Sequence, residues 1–313
     1  MLNAFNSKIQ ELMPILTPLC VVLGVIFHNI GGHLLFLVPI LFAFMTFTGS
    51  LGMRFTDVKV FKKHPGAILF VILFLHILMP VWAYFLSSFI FDDHLLVIGF
   101  VISVAVPTGV TSIIWISICR GNFPLGLSII LIDTLLAPFI LPVILDALAG
   151  EAIKLDTASI ILDLIWMIVL PSILGLVISE LRKGRVKEMS QMLAPFSKLS
   201  LFGIVAINSS AVAPFLTDIT FELIGVILFV FILAGSGYGL ALILGHLLFR
   251  NTQTVTSLVF LGGMRNIAIG TVIAVTYFPP KVAMPVVFGM LFQQVLASLY
   301  AKVVNKYQAK YEV

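Results

Sequence analysis

Three ionisable residues stand where hydrocarbon is expected. Asp133 falls in an apolar block spanning residues 124–147, His76 in one spanning 66–91, and Arg265 in one spanning 253–277. Ionisable side chains inside such blocks are costly and mark ion or substrate pathways. Asp133 lies about nine residues into its block, roughly 12–14 Å deep at 1.5 Å per residue. It could form a static charge pair with Arg265, or it could take up and release a proton. The Arg265 guanidinium is always charged, and leaving it unpaired costs at least ~2.5 kcal/mol on insertion scales. It is suited to a carboxylate or sulfonate. For His76, a packed, hydrogen-bonded ring competes with a proton relay. Polar side chains gather at two helix-weakening stretches, Val106-Pro107-Thr108-Gly109-Val110-Thr111-Ser112 and Leu261-Gly262-Gly263-Met264-Arg265-Asn266. A third group, Asn208-Ser209-Ser210, is either cavity wall or interhelical glue.

The elements that must carry these residues follow from composition. Of 313 residues, 60% are apolar and 10% charged, and the mean hydropathy is +1.18, which leaves too little charged surface for a soluble domain of this length. Apolar blocks occur at 12–28, 34–52, 66–91, 95–118, 124–147, 159–181, 196–215, 222–249, 253–277 and 284–303. Each approaches the roughly 20 residues needed to cross a bilayer. The absence of strict alternation excludes a β-barrel. The expected fold is an all-α polytopic membrane protein with ten transmembrane helices. Residues 1–13 lack the pattern of a cleaved secretory signal, so the first block is expected to stay as a helix. Cys20 and Cys119 read as small buried hydrophobes.

Charge sets the orientation. With ten spans, one side collects both termini and Lys8, Arg54, Lys59, Lys62, Lys63, Arg120, Arg182, Lys183, Arg185, Lys187, Lys198, Arg250, Lys302, Lys306 and Lys310. The other holds Lys154 and Lys281 with Asp92, Asp93, Asp146, Glu151, Asp156, Asp218 and Glu222. Basic short loops stay cytoplasmic, so both termini are expected inside and the protein in the cell (inner) membrane. The net charge of +4 is then an orientation signal and needs no nucleic-acid partner. Ten spans divide into repeats over 1–150 and 151–313 within one membrane domain. Five is odd, so the two repeats run in opposite senses, as in many secondary transporters. The broken fourth and ninth spans then correspond. Breaks of this kind are tolerated where freed backbone faces protein or a water-lined cavity.

At this point particular segments become familiar. Gly52-Met53-Arg54-Phe55-Thr56-Asp57, His64-Pro65, Pro107-Thr108-Gly109, Arg120-Gly121-Asn122 and Gly263-Met264-Arg265-Asn266 occur in the order and spacing of the bile acid:sodium symporter family. The chain resembles that family over nearly its whole length. The resemblance implies a core and a panel domain, with helices 4 and 9 crossing at their unwound centres and an organic anion bound beside the crossing. It implies substrate contacts at Thr108, Thr111, Ser112, Arg265, Asn266 and the pair Gln293-Gln294, with Asn208 as a possible wall residue. The family's sodium ligands do not carry over: Ile113, Gly126, Ile130, Leu261 and Leu75 stand where oxygen-bearing side chains are usual, and Arg265 replaces a glutamine. Ser112 is kept. Arg265 is therefore expected to act as a built-in cation, making sodium coupling unnecessary or impossible, and no cofactor is expected.

The expected function is secondary transport of an organic anion, bile-acid-like or a small carboxylate, with lost or altered sodium coupling. The alternative is a proton-coupled or uncoupled exporter or uniporter like the arsenite- or auxin-efflux carriers. Trp115 and Asp133 resemble the arsenite carriers, but the cysteine that family places before the fourth-helix break is absent, which argues against arsenite. No HExxH or GxSxG sequence supports an enzyme, and the loops are too short for a catalytic domain. No repeated filter segment supports a channel.

Overall fold

In a computed structural model the chain is described over residues 2–54, 63–149, 156–182, 186–216 and 220–311. Phe55, Thr56, Asp57, Lys59, Lys62, Glu151, Lys154, Lys183, Arg185 and Asp218, and the side chain of Lys187, lie outside the described residues. The described residues are helical almost throughout. Six helical stretches are long and apolar enough to cross a membrane, and four further apolar helices are shorter.

The helices are α1 (Leu2–Ile26), α2 (His28–His33), α3 (Val38–Ser50), α4 (Pro65–Leu73), α5 (Met79–Ile90), α6 (His94–Ala105), α7 (Ser112–Ile118) and α8 (Phe123–Ala149). They continue with α9 (Thr157–Leu164), α10 (Leu170–Leu181), α11 (Val186–Val212), α12 (Phe221–Leu248), α13 (Thr252–Gly263), α14 (Ile267–Tyr277) and α15 (Pro280–Tyr311). Several starts have a local chemical cause. Asp93, Asp156, Thr220 and Asn251 each cap a helix by accepting a backbone N–H of the first turn, and Pro65 opens α4. Helices α1, α11 and α15 run further than their apolar blocks, because hydropathy marks only the greasy part of a helix whose polar end continues it.

Wide π turns join α4 to α5 over Phe74–Leu78 and α9 to α10 over Ile165–Val169. Each lies just ahead of a proline, Pro80 or Pro171, whose missing N–H and bulky ring disturb the preceding turn. Widening the turn absorbs that disturbance, and such bulges are common at functional sites. His76 sits in the first of them.

Two bodies are distinguishable by packing. Helix α11 packs against α1 and α3, and α3 against α10, while α5, α6, α12, α13, α14 and α15 form the second body. It meets the first where α15 touches α1 and α11 and where α14 touches α11. The longer helix α8 packs against α6, α7 and α13 and also reaches α9. The core of the second body is apolar, with Phe74, Phe100, Phe260 and Tyr238 fully buried. Phe100 and Phe229 meet edge to face with ring centres 4.6 Å apart.

Candidate functional site at the helix crossing

The two helix-weakening stretches meet. Helix α6 stops at Ala105 and α7 begins at Ser112, while α13 stops at Gly263 and α14 begins at Ile267. Between them, Thr108 and Arg265 pair as a short antiparallel bridge. The Gly109 N–H donates to the Met264 carbonyl at 3.0 Å, and the Asn266 N–H donates to the Pro107 carbonyl at 2.8 Å. The Thr108 hydroxyl donates to the carbonyls of Leu261 at 2.9 Å and Met264 at 3.1 Å. Backbone groups released by one break are thus satisfied by the other, which is what irregular backbone requires away from water. Gly109 favours this approach: a Cβ there would lie 3.0 Å from the Arg265 carbonyl oxygen, close enough to push the two breaks apart by a few tenths of an ångström.

Asp133 braces the crossing from α8. One carboxylate oxygen accepts the Thr108 N–H at 2.6 Å, and the other lies 2.5 Å from Nε2 of His76. Asp133 is fully buried and His76 nearly so. The hydrogen-bond partners of the carboxylate are His76 and a backbone N–H, and Arg265 is not among them. Arg265 interacts with Asp133 and Tyr238 only at longer range. Its two terminal nitrogens are buried with no hydrogen-bond partner among the described residues. Its backbone N–H donates to the Gln293 side-chain oxygen at 3.2 Å, and the Trp115 indole donates to that of Gln294 at 3.3 Å. A space of about 20 Å³ lies against Arg265, Ser103 and Tyr238, enough for one water.

A cavity of about 270 Å³ lies between the crossing and the first body. The crossing side brings Gly109, Thr111, Arg265, Asn266, Gln293 and Gln294 to its wall. The opposite side brings hydroxyls, among them Thr46, Ser50, Ser172 and Ser197, together with Lys198. Met53, beside Arg54, and Ser190, early in α11, also line it, so it reaches toward the basic end of the bundle. At the other end the Tyr277 hydroxyl, closing α14, donates to the Asp163 carboxylate on α9.

The expected site residues therefore divide. Thr111, Arg265, Asn266, Gln293 and Gln294 share the cavity. Thr108 spends its hydroxyl on the crossing, and Ser112 is buried with no partner for its hydroxyl among the described residues. Neither lines the cavity. Asn208 is also off it, buried in α11 with no partner for either amide atom among the described residues. The hydroxyls of the first body were missed in the sequence because each looks self-sufficient. The Thr46 and Ser50 hydroxyls bond the carbonyls one turn back, as helical Ser and Thr do throughout membrane proteins.

The side chains at the positions expected to have lost sodium ligands are aliphatic or absent. Leu75, Ile130 and Leu261 are fully buried. Beside Gly126, a Cβ would lie 2.8 Å from the Ile116 side chain and 3.0 Å from that of Ile113, so branched aliphatic groups fill the space. None of these side chains offers an oxygen to a hard cation.

The profile of the SBF-like CPA transporter family matches residues 13–309. The chain belongs to this family. A Bacillus subtilis (strain 168) protein, YbaS, is 43% identical over 300 residues, covering 95% of this chain and 98% of its own. A second protein of that organism, named as the sodium-dependent transporter YocS, is 24% identical over 295 residues, covering 92% and 90%. The probable chloroplastic sodium/metabolite cotransporter BASS1 of Oryza sativa subsp. japonica is 23% identical over 255 residues, covering 80% of this chain and 62% of its own. Family membership and the apolar helices together make this a multi-pass membrane transporter of the bile acid:sodium symporter type. It also explains why the Arg-Gly-Asn turn resembled that family. Asn122 is tied to α13 through its N–H, donated to the Gln253 carbonyl, and through its carbonyl, which accepts from Ser257.

Proposed function

We propose that the protein is a secondary transporter of a small organic anion, and that sodium coupling has been lost or altered. The observation that carries this reading is the cavity beside the crossing, which Arg265 lines together with Thr111, Asn266, Gln293 and Gln294, and the burial of the two terminal Arg265 nitrogens without a hydrogen-bond partner among the described residues. A cation held without a hydrogen-bonded counter-charge in a low-dielectric site favours an anionic visitor. The N-terminus of α14, which opens beside Asn266, adds positive potential. Thr111, Asn266, Gln293 and Gln294 supply polar contacts to the anion. In the full reading the chain has ten spans arranged as two inverted repeats of five, with both termini cytoplasmic. The cavity would then face the cytoplasm.

Counterflow in proteoliposomes tests this. Labelled monocarboxylates and sulfonates are offered to vesicles preloaded with the same unlabelled anion, with and without sodium. Accumulation that is independent of sodium and lost in Arg265→Gln is the expected result. Uptake that depends strictly on a sodium gradient would overturn the altered-coupling part. A proton-coupled exporter is the second reading, and the contact between His76 and Asp133 favours it.

A further inference from the structure

The pair His76–Asp133 has no role in the anion site as described, yet it grips the crossing directly. With His76 neutral and its Nε2–H donated to the carboxylate, Asp133 is negative and Arg265 positive, so the three groups sum to zero. Nδ1 of His76 is buried and has no hydrogen-bond partner among the described residues. It is therefore a free position for one more proton. A proton bound there raises the local charge by one, and the 2.5 Å contact lets it be shared with the carboxylate. A carboxyl group that gains proton character is a weaker acceptor than a carboxylate. Its other oxygen holds the Thr108 N–H, so the strength of that brace depends on the proton count of the pair.

We infer that His76–Asp133 is a proton-binding site whose occupancy is transmitted to the helix crossing through the Thr108 amide. The inference rests on the transport reading above and deepens it by naming the coupling ion. Arg265 at the second break interacts electrostatically with Asp133 of the pair, and Tyr238 on α12 interacts in turn with Arg265. With the pair neutral overall, Arg265 is left uncompensated. An anion in the adjacent cavity then restores neutrality. Binding one proton and binding one monoanion thus favour each other, which is the linkage an electroneutral symporter requires. A rigid structural histidine–carboxylate contact would hold one protonation state and show no such linkage.

The test needs no substrate. Protein carrying ¹⁵N-labelled histidine and threonine is placed in lipid nanodiscs and titrated from about pH 5 to about pH 9, the range in which an imidazole changes charge. The His76 ring signals, assigned by their loss in His76→Gln, should pass from imidazole to imidazolium. The Thr108 amide signal, assigned with Thr108→Ser, should move with the same midpoint. In Asp133→Asn the His76 transition should be displaced and the Thr108 response lost, while Asp133→Glu should retain both. A His76 spectrum unchanged across the range, or a Thr108 amide that does not follow it, overturns the inference even if the Asp133 variants fail to fold. Anion counterflow by a protein whose His76 does not titrate would sink the proton site alone. Co-titration in a protein that moves no anion would sink the transport reading alone.

Discussion

Thr108 and Arg265 face each other across a two-stranded contact made by the interrupted middles of two helices. Arg265 is carried into the second body by that pairing, so the cation and the bridge are parts of one construction. Changes at the two residues should affect stability and transport in different ways.

Thr108→Val keeps the side-chain shape and removes the hydroxyl that reaches the Leu261 and Met264 carbonyls. Leaving buried carbonyls short of a donor costs about 1–3 kcal/mol. Thermal unfolding in detergent should show that loss for valine and much less for Thr108→Ser. An unchanged unfolding midpoint for the valine variant would mean the hydroxyl is not needed at the crossing.

Arg265→Met should lower both stability and activity, because it leaves the buried Asp133 carboxylate without the opposite charge that interacts with it. Anion counterflow should fall at least about 100-fold, as expected when a buried charge-assisted contact worth about 3 kcal/mol is removed. A destabilised variant with normal counterflow would show that Arg265 is structural.

The hydrogen bond from Tyr277 to Asp163 joins α14 to α9 at the end of the bundle away from the basic cavity rim. Tyr277→Phe should loosen this end. A hydrogen bond with a net worth of about 0.5–1.5 kcal/mol shifts a two-state balance about 2- to 10-fold. Maleimide labelling of Ser197→Cys in the cavity wall, measured from the basic side, should slow, with that factor as the upper limit. Equal rates in the two backgrounds would mean the contact does not bias access.

Acid sensitivity should have a component at Asp93. Burial pushes this carboxyl up, but the Lys281 ammonium and the backbone N–H groups of Leu95 and Leu96 outweigh it and hold it below its usual range. A depressed carboxyl contributes stability that is present above about pH 4 and is lost as pH falls through its folded value. Lys281 also contacts Glu222, and all three side chains are partly exposed, so the effect is at most about 1 kcal/mol. Lys281→Met should make acid unfolding begin at higher pH. Asp93→Asn should remove the acid component while keeping the cap on Leu95, whereas Asp93→Ala should cost a further amount of about 1 kcal/mol.

Much of this protein is legible in its sequence because the bilayer imposes a one-dimensional rule. Apolar length alone located the helices, and Pro107, Gly109, Gly262 and Gly263 marked both breaks, since backbone that cannot continue a helix must be released somewhere. Arg265 and Asp133 announced themselves because a charge in hydrocarbon needs a reason. Their partners were not legible. The sequence left a pairing of Asp133 with Arg265 and a proton role for Asp133 equally open. In the structure the π turn before Pro80 carries His76 to Asp133, and the carboxylate's second oxygen goes to a backbone N–H that exists as a free donor only because α6 stops at Ala105. The cavity wall was equally hidden. Thr46, Ser172 and Ser197 are ordinary helical residues until the packing of α3, α10 and α11 turns them toward the crossing. Composition and periodicity determine which segments are buried in lipid. Which polar atoms meet inside is decided by the angle and depth at which those segments pack, and only the tertiary structure holds that information.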